Sequence, residues 1–206
     1  IAYNSSVNRY MVVWQEYNST TSFYDIKGKQ VEGNGTLWGA IKTYGDSGKA
    51  HQGPVVAVLP NERSGKTFAI VWTYQQGIFD GYGSVFPNND GIKKGESYAY
   101  WVGSSYTLNH IAIAANQRTG TYLMAFQFDK GVMDKSIDVR ETDHTFHWEE
   151  VFSIPGPAND FPEIASGSTI ESLVAWQAQP ISIAHTNIYG QIFETHYASY
   201  LPLIRK

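Results

Sequence analysis

A short strand-like phrase that ends in an aromatic anchor recurs four times in this chain. In the first copy it covers residues 10–14, and the four anchors are Trp14, Trp72, Phe126 and Trp176. The anchors are 50 to 58 residues apart. A period in this range, carried by strand-like units, indicates stacked repeats of one supersecondary unit rather than a single irregular domain.

The composition is that of a β protein. Aromatic residues make up 15% of the chain and charged residues only 17%, and there are 19 glycines, so strand and turn formers prevail over helix surface residues. A net charge of −4 with no run of Lys or Arg argues against a nucleic acid partner. The absence of cysteine excludes disulfides and cysteine-ligated zinc. We predict no cofactor and no membrane span.

Each repeat divides into four short segments separated by turn residues. The first is small and apolar, the second ends in the anchor, the third contains an Asp or Asn, and the fourth is variable and aromatic. Apolar residues are consecutive in residues 12–14 and 70–72, so both faces of these strands must be covered. Sheets stacked face to face provide that cover.

Stacked four-stranded sheets are the blades of a β-propeller, and small residues such as Ala57 and Ala112 suit its crowded inner strands. We predict an all-β fold, a β-propeller of four four-stranded antiparallel blades, either as a four-bladed ring or as four blades of a larger propeller. The predicted single domain covers residues 1–206, with repeats 1–52, 53–108, 109–160 and 161–206. Because Ile1 lies inside a predicted strand, we expect a trimmed piece of a longer protein.

The repeat resembles tandem β-propeller repeats of uncharacterised secreted bacterial and archaeal proteins, of the type A-Y-N … Y-L-V-V-W … D-I-Y-G-Q. The residues that carry the resemblance are 1–4, 10–14 and 25–31 of the first repeat and 187–193 of the fourth. It implies a propeller in an extracellular setting and no particular activity. The third repeat lacks the motif's glycine at residues 136–138, so we expect its third strand to be irregular.

One short polar residue recurs in every third segment, at Asp25, Asp80, Asp134 and Asn187. Paired glycosidase carboxylates stand about 5 to 10 Å apart, and equivalent residues of different blades would be farther apart than that. We therefore interpret these residues as local hydrogen-bonding caps. The six histidines, His110 among them, are scattered, and we interpret them as surface residues.

A polar and aromatic rim is predicted where the second strands end, beside the first strands of the following repeats. The candidate binding residues are Gln15, Glu16, Tyr17, Tyr74, Gln75, Gln127, Asp129, Gln177 and Gln179. Amide and carboxylate groups beside aromatic rings suit a sugar, since rings stack and polar groups fix hydroxyls. The alternative interpretation is that the repeated glutamines form hydrogen bonds with backbone groups at the strand ends and bind no ligand.

We predict a non-enzymatic binding or adhesion module, secreted or at the cell surface, that recognises a polysaccharide or a surface protein. One alternative is a propeller-type glycoside hydrolase or polysaccharide lyase, in which acids such as Glu16, Asp129 and Asp160 converge. Another is a structural subunit of a surface assembly, self-associating through its C-terminal edge strand.

Three N-glycosylation sequons lie in the first repeat, at Asn4, Asn18 and Asn34. They are candidate glycan acceptors on turns of an extracellular protein.

Overall fold

The computed structural model of the protein describes residues 1–44, 50–59, 67–75, 79–87, 98–100, 107–129, 135–142, 148–154, 159–178 and 187–194. Regular structure in these residues is entirely β, and every strand pair is antiparallel. None of them forms a helix long and apolar enough to cross a membrane. The chain divides into two compact units, Ile1–Trp101 and Val102–Lys206. That residues 1–206 form one domain stays a prediction.

The first unit contains two four-stranded sheets in which strands pair in chain order. The first sheet comprises β1 (Ala2–Asn4), β2 (Arg9–Asn18), β3 (Phe23–Glu32) and β4 (Leu37–Tyr44). The second sheet comprises β5 (Ala50–Leu59), β6 (Thr67–Gln75), β7 (Phe79–Pro87) and β8 (Tyr98–Tyr100). Each sheet corresponds to one sequence repeat.

The second unit contains a four-stranded and a three-stranded sheet, again paired in chain order. The third sheet comprises β9 (Thr107–Asn116), β10 (Thr121–Asp129), β11 (Lys135–Thr142) and β12 (Trp148–Ile154). The fourth comprises β13 (Asn159–Ser166), β14 (Glu171–Ala178) and β15 (Asn187–Glu194). The last predicted strand, residues 197–203, lies outside the described residues.

The core of the first unit lies between its two sheets. Because side chains alternate along a strand, one face of each sheet supplies this core. Its buried members are Met11, Ile26, Tyr44, Phe68, Ile70 and Trp72, with Val13, Val56 and Val58 packed against them. The predicted face-to-face stacking of consecutive repeats therefore occurs within this unit.

The core of the second unit lies between the third and fourth sheets in the same way. Its buried members are Leu123, Ala125, Ile137, Val139, Ile154, Val174 and Phe193, with Phe152, Ile164 and Trp176 packed against them. On β14 the core residue Val174 is fully buried, whereas its neighbour Leu173 is 45% exposed. One face of the fourth sheet thus packs and the other is exposed.

The four aromatic anchors differ in burial. Trp72 and Phe126 are each 2% exposed, and Trp72 lies in the core between the two sheets of the first unit. Trp14 and Trp176 are only partly buried. Trp14 lies on the face of the first sheet that does not pack in the core of its unit, and its indole Nε1 donates to Glu16 Oε2 at 3.2 Å.

Strand pairing in the third repeat corrects the sequence alignment by two residues. Asp25 pairs with the residue two positions after the anchor Trp14, whereas Ser136 pairs with the residue two positions after the anchor Phe126. Ser136 therefore corresponds to Asp25, and Asp134 lies outside the described residues. The irregularity expected of this strand does not occur on its β10 side, where pairing continues without a break.

Candidate functional site

The end of the second strand lies beside the start of the first strand in the second, third and fourth sheets. Asp129 at the end of β10 pairs with Thr107 at the start of β9, and Gln177 of β14 pairs with Asp160 of β13. The predicted rim residues are therefore brought to one end of each of these sheets. In the second unit this end carries a cluster of charged, amide and aromatic side chains.

A β-bulge near the start of β13 exposes the ring of Phe161. The pairing of β13 with β14 shifts between Asp160 and Glu163, and Phe161 adopts φ of 50°. A residue other than glycine in this left-handed region is strained and persists only where its surroundings hold it. The ring is 55% exposed, so this strained backbone presents an aromatic surface to solvent.

Gln127 holds the bulge from the neighbouring sheet. Its side chain is 3% exposed. Its Oε1 accepts from the backbone N–H of Phe161 at 3.1 Å, and its Nε2 donates to Asp160 Oδ1 at 2.6 Å. Both ends of a buried amide are thereby satisfied, as burial requires. Gln127 is a predicted binding residue, and the structure uses it as an internal clamp.

Asp160 is engaged through both carboxylate oxygens. Oδ1 accepts from Gln127, and Oδ2 forms an ion pair with Lys135 Nζ at 2.6 Å. Short contacts to a cation and an amide are strong charge-assisted hydrogen bonds. They fix Asp160 in place and connect β13 with β10 and β11.

His110 and Glu163 flank the exposed ring of Phe161. The His110 imidazole meets that ring edge to face, with centroids 5.7 Å apart. Its Nε2 lies 3.7 Å from Glu163 Oε1, and the Glu163 side chain is 76% exposed. An open aromatic ring is therefore bordered by one imidazole and one carboxylate. No residue pattern in the sequence distinguishes His110, which we interpreted as a surface residue.

Asp129, another predicted binding residue, has an acceptor without a partner. Its Oδ2 accepts from Asn109 Nδ2, while its Oδ1 is buried and has no hydrogen-bond partner among the described residues. A buried carboxylate oxygen that makes no hydrogen bond is costly. Because this oxygen is enclosed, it is not open to a ligand at the surface.

In the first unit the rim is built around a tyrosine pair. Tyr17 and Tyr24 are 56% and 44% exposed, and their rings meet edge to face with centroids 5.5 Å apart. Edge-to-face packing is a favourable aromatic geometry. The predicted residue Tyr17 thus lies on an exposed aromatic surface.

Glu16 is exposed and ion-paired with Lys27, whose Nζ lies 2.5 Å from Glu16 Oε1. Hydrogen bonds from Lys27 and then from the indole of Trp14 hold the pKa of this carboxyl below its ordinary value. A glycosidase acid needs a raised pKa to stay protonated at neutral pH. Glu16 is therefore unsuited to the acid role of the hydrolase alternative.

Gln15 repeats the clamp seen in the second unit. Its Oε1 accepts from the backbone N–H of Gly53 at 3.1 Å, and Gly53 has φ of 60° at the bulge of β5. A proline follows the bulged residue in both units. The recurring signal for the clamp is therefore a Gln after the anchor together with a residue–Pro pair at the start of the next repeat.

Four other predicted residues remain. Gln177 is partly exposed, and its side chain makes no hydrogen bond within the part of the chain that the structure describes. Tyr74 and Gln75 lie at the end of β6. Gln179 lies outside the described residues.

The three sequon asparagines share one local geometry and differ in exposure. The Oδ1 of each accepts the backbone N–H two residues later, at 2.9 to 3.0 Å, which is an Asx turn. Asn4 is completely buried. Asn18 donates its Nδ2 to Asp25 Oδ2 at 2.9 Å, a local contact of the kind we expected for Asp25. Asn34 is exposed.

A concave surface lies at the end of the third and fourth sheets opposite to Phe161. It is an open groove of about 760 Å³ between the β9–β10 and β13–β14 turns. Its lining residues are Gln117, Arg118, Ser166, Gly167 and Ser168. The groove is polar and has no aromatic ring. Among the described residues no group of three His, Asp or Glu is arranged to hold a metal ion.

Comparisons with known proteins show the fold. No protein-family model and no curated protein matches the chain. The solved structure of Hadza microbial sialidase Hz136, a β-propeller, matches with a TM-score of 0.63 and 13% identity. The match covers 99% of this chain and 45% of the sialidase, so the chain spans less than half of that protein. The fold is therefore all-β and propeller-like.

Proposed function

We propose that this chain is a non-enzymatic binding module that recognises a polysaccharide at the end of its third and fourth sheets. The observation that carries the proposal is the exposed ring of Phe161, held in a strained backbone by Gln127 and bordered by His110 and Glu163. A ring that is 55% exposed offers a stacking surface for a sugar.

The polar groups around the ring suit hydroxyl recognition. The exposed carboxylate of Glu163 is an acceptor, and the Nε2 of His110 lies 3.7 Å from it. A small-molecule site typically combines an apolar surface with a small number of polar groups that fix the ligand's orientation. The likeness to a protein named as a sialidase supports a carbohydrate ligand by analogy of fold alone.

The state of two of the three candidate acids, Asp160 and Glu16, supports binding rather than hydrolysis. Both carboxylate oxygens of Asp160 are occupied, one by a hydrogen bond from Gln127 and the other by an ion pair with Lys135. The pKa of Glu16 is lowered. Hydrolysis of a glycoside needs one carboxyl with a raised pKa beside a second carboxylate. Neither residue fits the acid role.

The finer architecture and setting belong to the same proposal. We propose that the four sheets are blades of a four-bladed ring or of a larger propeller, of the A-Y-N … D-I-Y-G-Q repeat type. We also propose that the module is secreted or at the surface of a bacterial cell, with Asn34 as its exposed glycan acceptor. A surface protein is the alternative partner, and the structural-subunit role rests on an edge strand outside the described residues.

The test replaces Phe161 with glycine. Gly53 occupies the equivalent bulge of the first unit, so Phe161→Gly relieves a left-handed conformation and should raise stability by about 1 kcal/mol. Binding on a polysaccharide array should weaken about tenfold or more because the stacking surface is lost. Phe161→Tyr, which keeps the ring, should retain binding.

Arg118→Ala is the matched control for location, since it changes the groove at the other end of the same sheets. Binding that survives Phe161→Gly and is lost in Arg118→Ala would move the site to that groove. Release of reducing ends from a bound polysaccharide would instead overturn the non-enzymatic assignment.

A further inference from the structure

The fourth sheet presents an apolar face that the core of its unit does not use. We call it the Leu173 face. It contains Ala165, Leu173, Ala175, Ile188, Gly190 and Ile192, which share one face by strand register. Leu173, Ile188 and Ile192 are 45%, 79% and 51% exposed. Scattered apolar residues are ordinary on a surface, but a run across three strands marks an interaction site.

Three carboxylates lie on this side of the sheet: Glu163, which is opposite Ala175, and the pair Glu171 and Glu194. Glu171 and Glu194 are directly opposite each other in the register of β14 and β15 and lie on the same side as Leu173. Like charges at opposed positions destabilise a sheet. Residues 159–178 and 187–194 contain no Lys or Arg, so the described fourth sheet has no cation of its own for this pair.

The first sheet also presents a face outside the core of its unit, which we call the Trp14 face. Its members, by strand register, are Tyr3, Tyr10, Val12, Trp14, Lys27, Lys29, Val31 and Leu37. Tyr3, Tyr10 and Leu37 are 43%, 36% and 67% exposed and form a stripe across the sheet. Glu16 lies on the same face and pairs with Lys27, whereas Lys29 donates to the carbonyl of Gly39 and has no ion pair among the described residues, so Lys29 provides the positive charge of this face.

The repeat shows how such faces fit together. In the first unit, Met11 of one sheet and Trp72 of the next pack in the same core. Counted from the anchors, Leu173 occupies the position of Met11, and Trp14 occupies the position of Trp72. The Leu173 face and the Trp14 face are therefore the repeat equivalents of two surfaces that already pack against each other.

We propose that the Leu173 face of one copy packs on the Trp14 face of a second copy, in the manner of consecutive sheets. This contact rests on the larger-propeller alternative of the proposed function, because a four-bladed ring would pair the two faces within one chain. The contact is heterologous, because two different surfaces meet. It brings Glu171 and Glu194 to the face that carries Lys29, whose ammonium group is bound to a backbone carbonyl and not to a carboxylate of the described residues. Gln177, which corresponds to the clamp residue Gln15 and has no hydrogen bond to the described residues, would then be available to the partner.

Sedimentation of the whole chain over a wide concentration range tests the contact. We expect association that weakens with added salt, because opposite charges contribute to it. Ile192→Lys on one face and Tyr10→Lys on the other should each weaken association about tenfold or more, since each buries a charge in an apolar contact. Tyr17→Lys, at a tyrosine outside both faces, should leave association unchanged.

Mixing the two variants distinguishes a heterologous contact from any other. The Ile192→Lys copy keeps its Trp14 face, and the Tyr10→Lys copy keeps its Leu173 face. Each should be monomeric alone, and the mixture should form a heterodimer through the two intact faces. Far-UV circular dichroism and thermal unfolding of each variant establish that both are folded.

Three results would overturn the proposal. One is a wild-type chain that stays monomeric at every concentration. That result is expected if the two faces close a ring within one chain, or if an unrelated partner covers them. Another is association that both folded variants retain. The third is a mixture of the two variants that forms no heterodimer, because that indicates a symmetric contact.

Discussion

Gly28 leaves room for a buried aromatic ring. An ideal Cβ at this position would lie 2.6 Å from Cε2 of Tyr44, which is closer than carbon atoms approach. Tyr44 is 6% exposed and belongs to the core of the first unit, so its ring has little space to move. The glycine of the third strand is therefore a packing requirement in the first repeat.

Gly28→Ala should lower the free energy of unfolding by about 2 kcal/mol, because overpacking displaces the Tyr44 ring. The matched control is Gly190→Ala at the equivalent position of the fourth repeat. There the nearest atom is Leu173 Cδ1 at 3.3 Å, at the end of an exposed side chain. The control should be neutral or stabilising by about 0.5 kcal/mol, because glycine weakens strands. Urea unfolding compares the two, and equal losses would contradict this account.

Tyr44 also makes stability depend on alkaline pH. Burial raises the pKa of its phenol from 10.0 to about 12. The folded state therefore keeps a proton that the unfolded state loses, so the contribution of Tyr44 is complete below pH 10 and disappears as pH rises towards 12. Wild-type protein should lose roughly 2 kcal/mol of its free energy of unfolding through this ionisation at high pH, and Tyr44→Phe should not show that loss. Unfolding of both proteins at several pH values measures it, and parallel curves would refute the assignment.

At the scale of elements, the two sheets within each unit are joined by a glutamine clamp as well as by apolar packing. Gln15 and Gln127 each bind the backbone N–H of a bulged residue with positive φ in the next sheet. The bulge widens the strand and turns the peptide towards the neighbouring sheet. The glutamine that follows the anchor is thus a connector between repeats.

The two clamps should differ in strength. Gln127→Met removes two hydrogen bonds from a buried site and should cost about 2 kcal/mol, since the backbone N–H of Phe161 and the carboxylate of Asp160 lose a partner. Gln15→Met removes one bond at an exposed site and should cost about 0.5 kcal/mol. Denaturant midpoints give both values. A larger loss at Gln15 would reverse the assigned roles.

At the scale of the whole molecule, the four repeats are similar in sequence and unequal in burial. Trp72 is 2% exposed, whereas Trp14 is only partly buried. Trp72 contributes to a core between two sheets, and Trp14 lies on a face outside the core of its unit. Equivalent positions in the repeat therefore carry different shares of the stability.

Trp72→Ala should cost about 4 kcal/mol through lost burial and the cavity left behind. Trp14→Ala should cost about 1 kcal/mol in dilute solution, because less apolar area is removed from contact. Chemical unfolding monitored by far-UV circular dichroism gives the ranking. If the proposed contact between copies forms, the cost at Trp14 should increase with protein concentration. Equal costs in dilute solution would contradict the burial described here.

The strands and their order follow from the sequence because their signals are local. Alternating and consecutive apolar residues predict strands, turn residues separate them, and the repeated anchor aligns the four units. The third repeat shows the limit of that alignment. There the motif glycine is missing, and only strand pairing shows that Ser136 corresponds to Asp25.

The roles of the site residues were decided by tertiary structure. Gln127 and Gln15 carry the same motif, yet one is buried and the other exposed. His110 and Phe161 meet although they are distant in the chain, and no local pattern marks them. Side-chain alternation divides a strand into two faces by itself, and the sequence therefore determined the sheets. Which face is covered and which strand ends meet depends on packing between sheets, and only the folded chain supplies that.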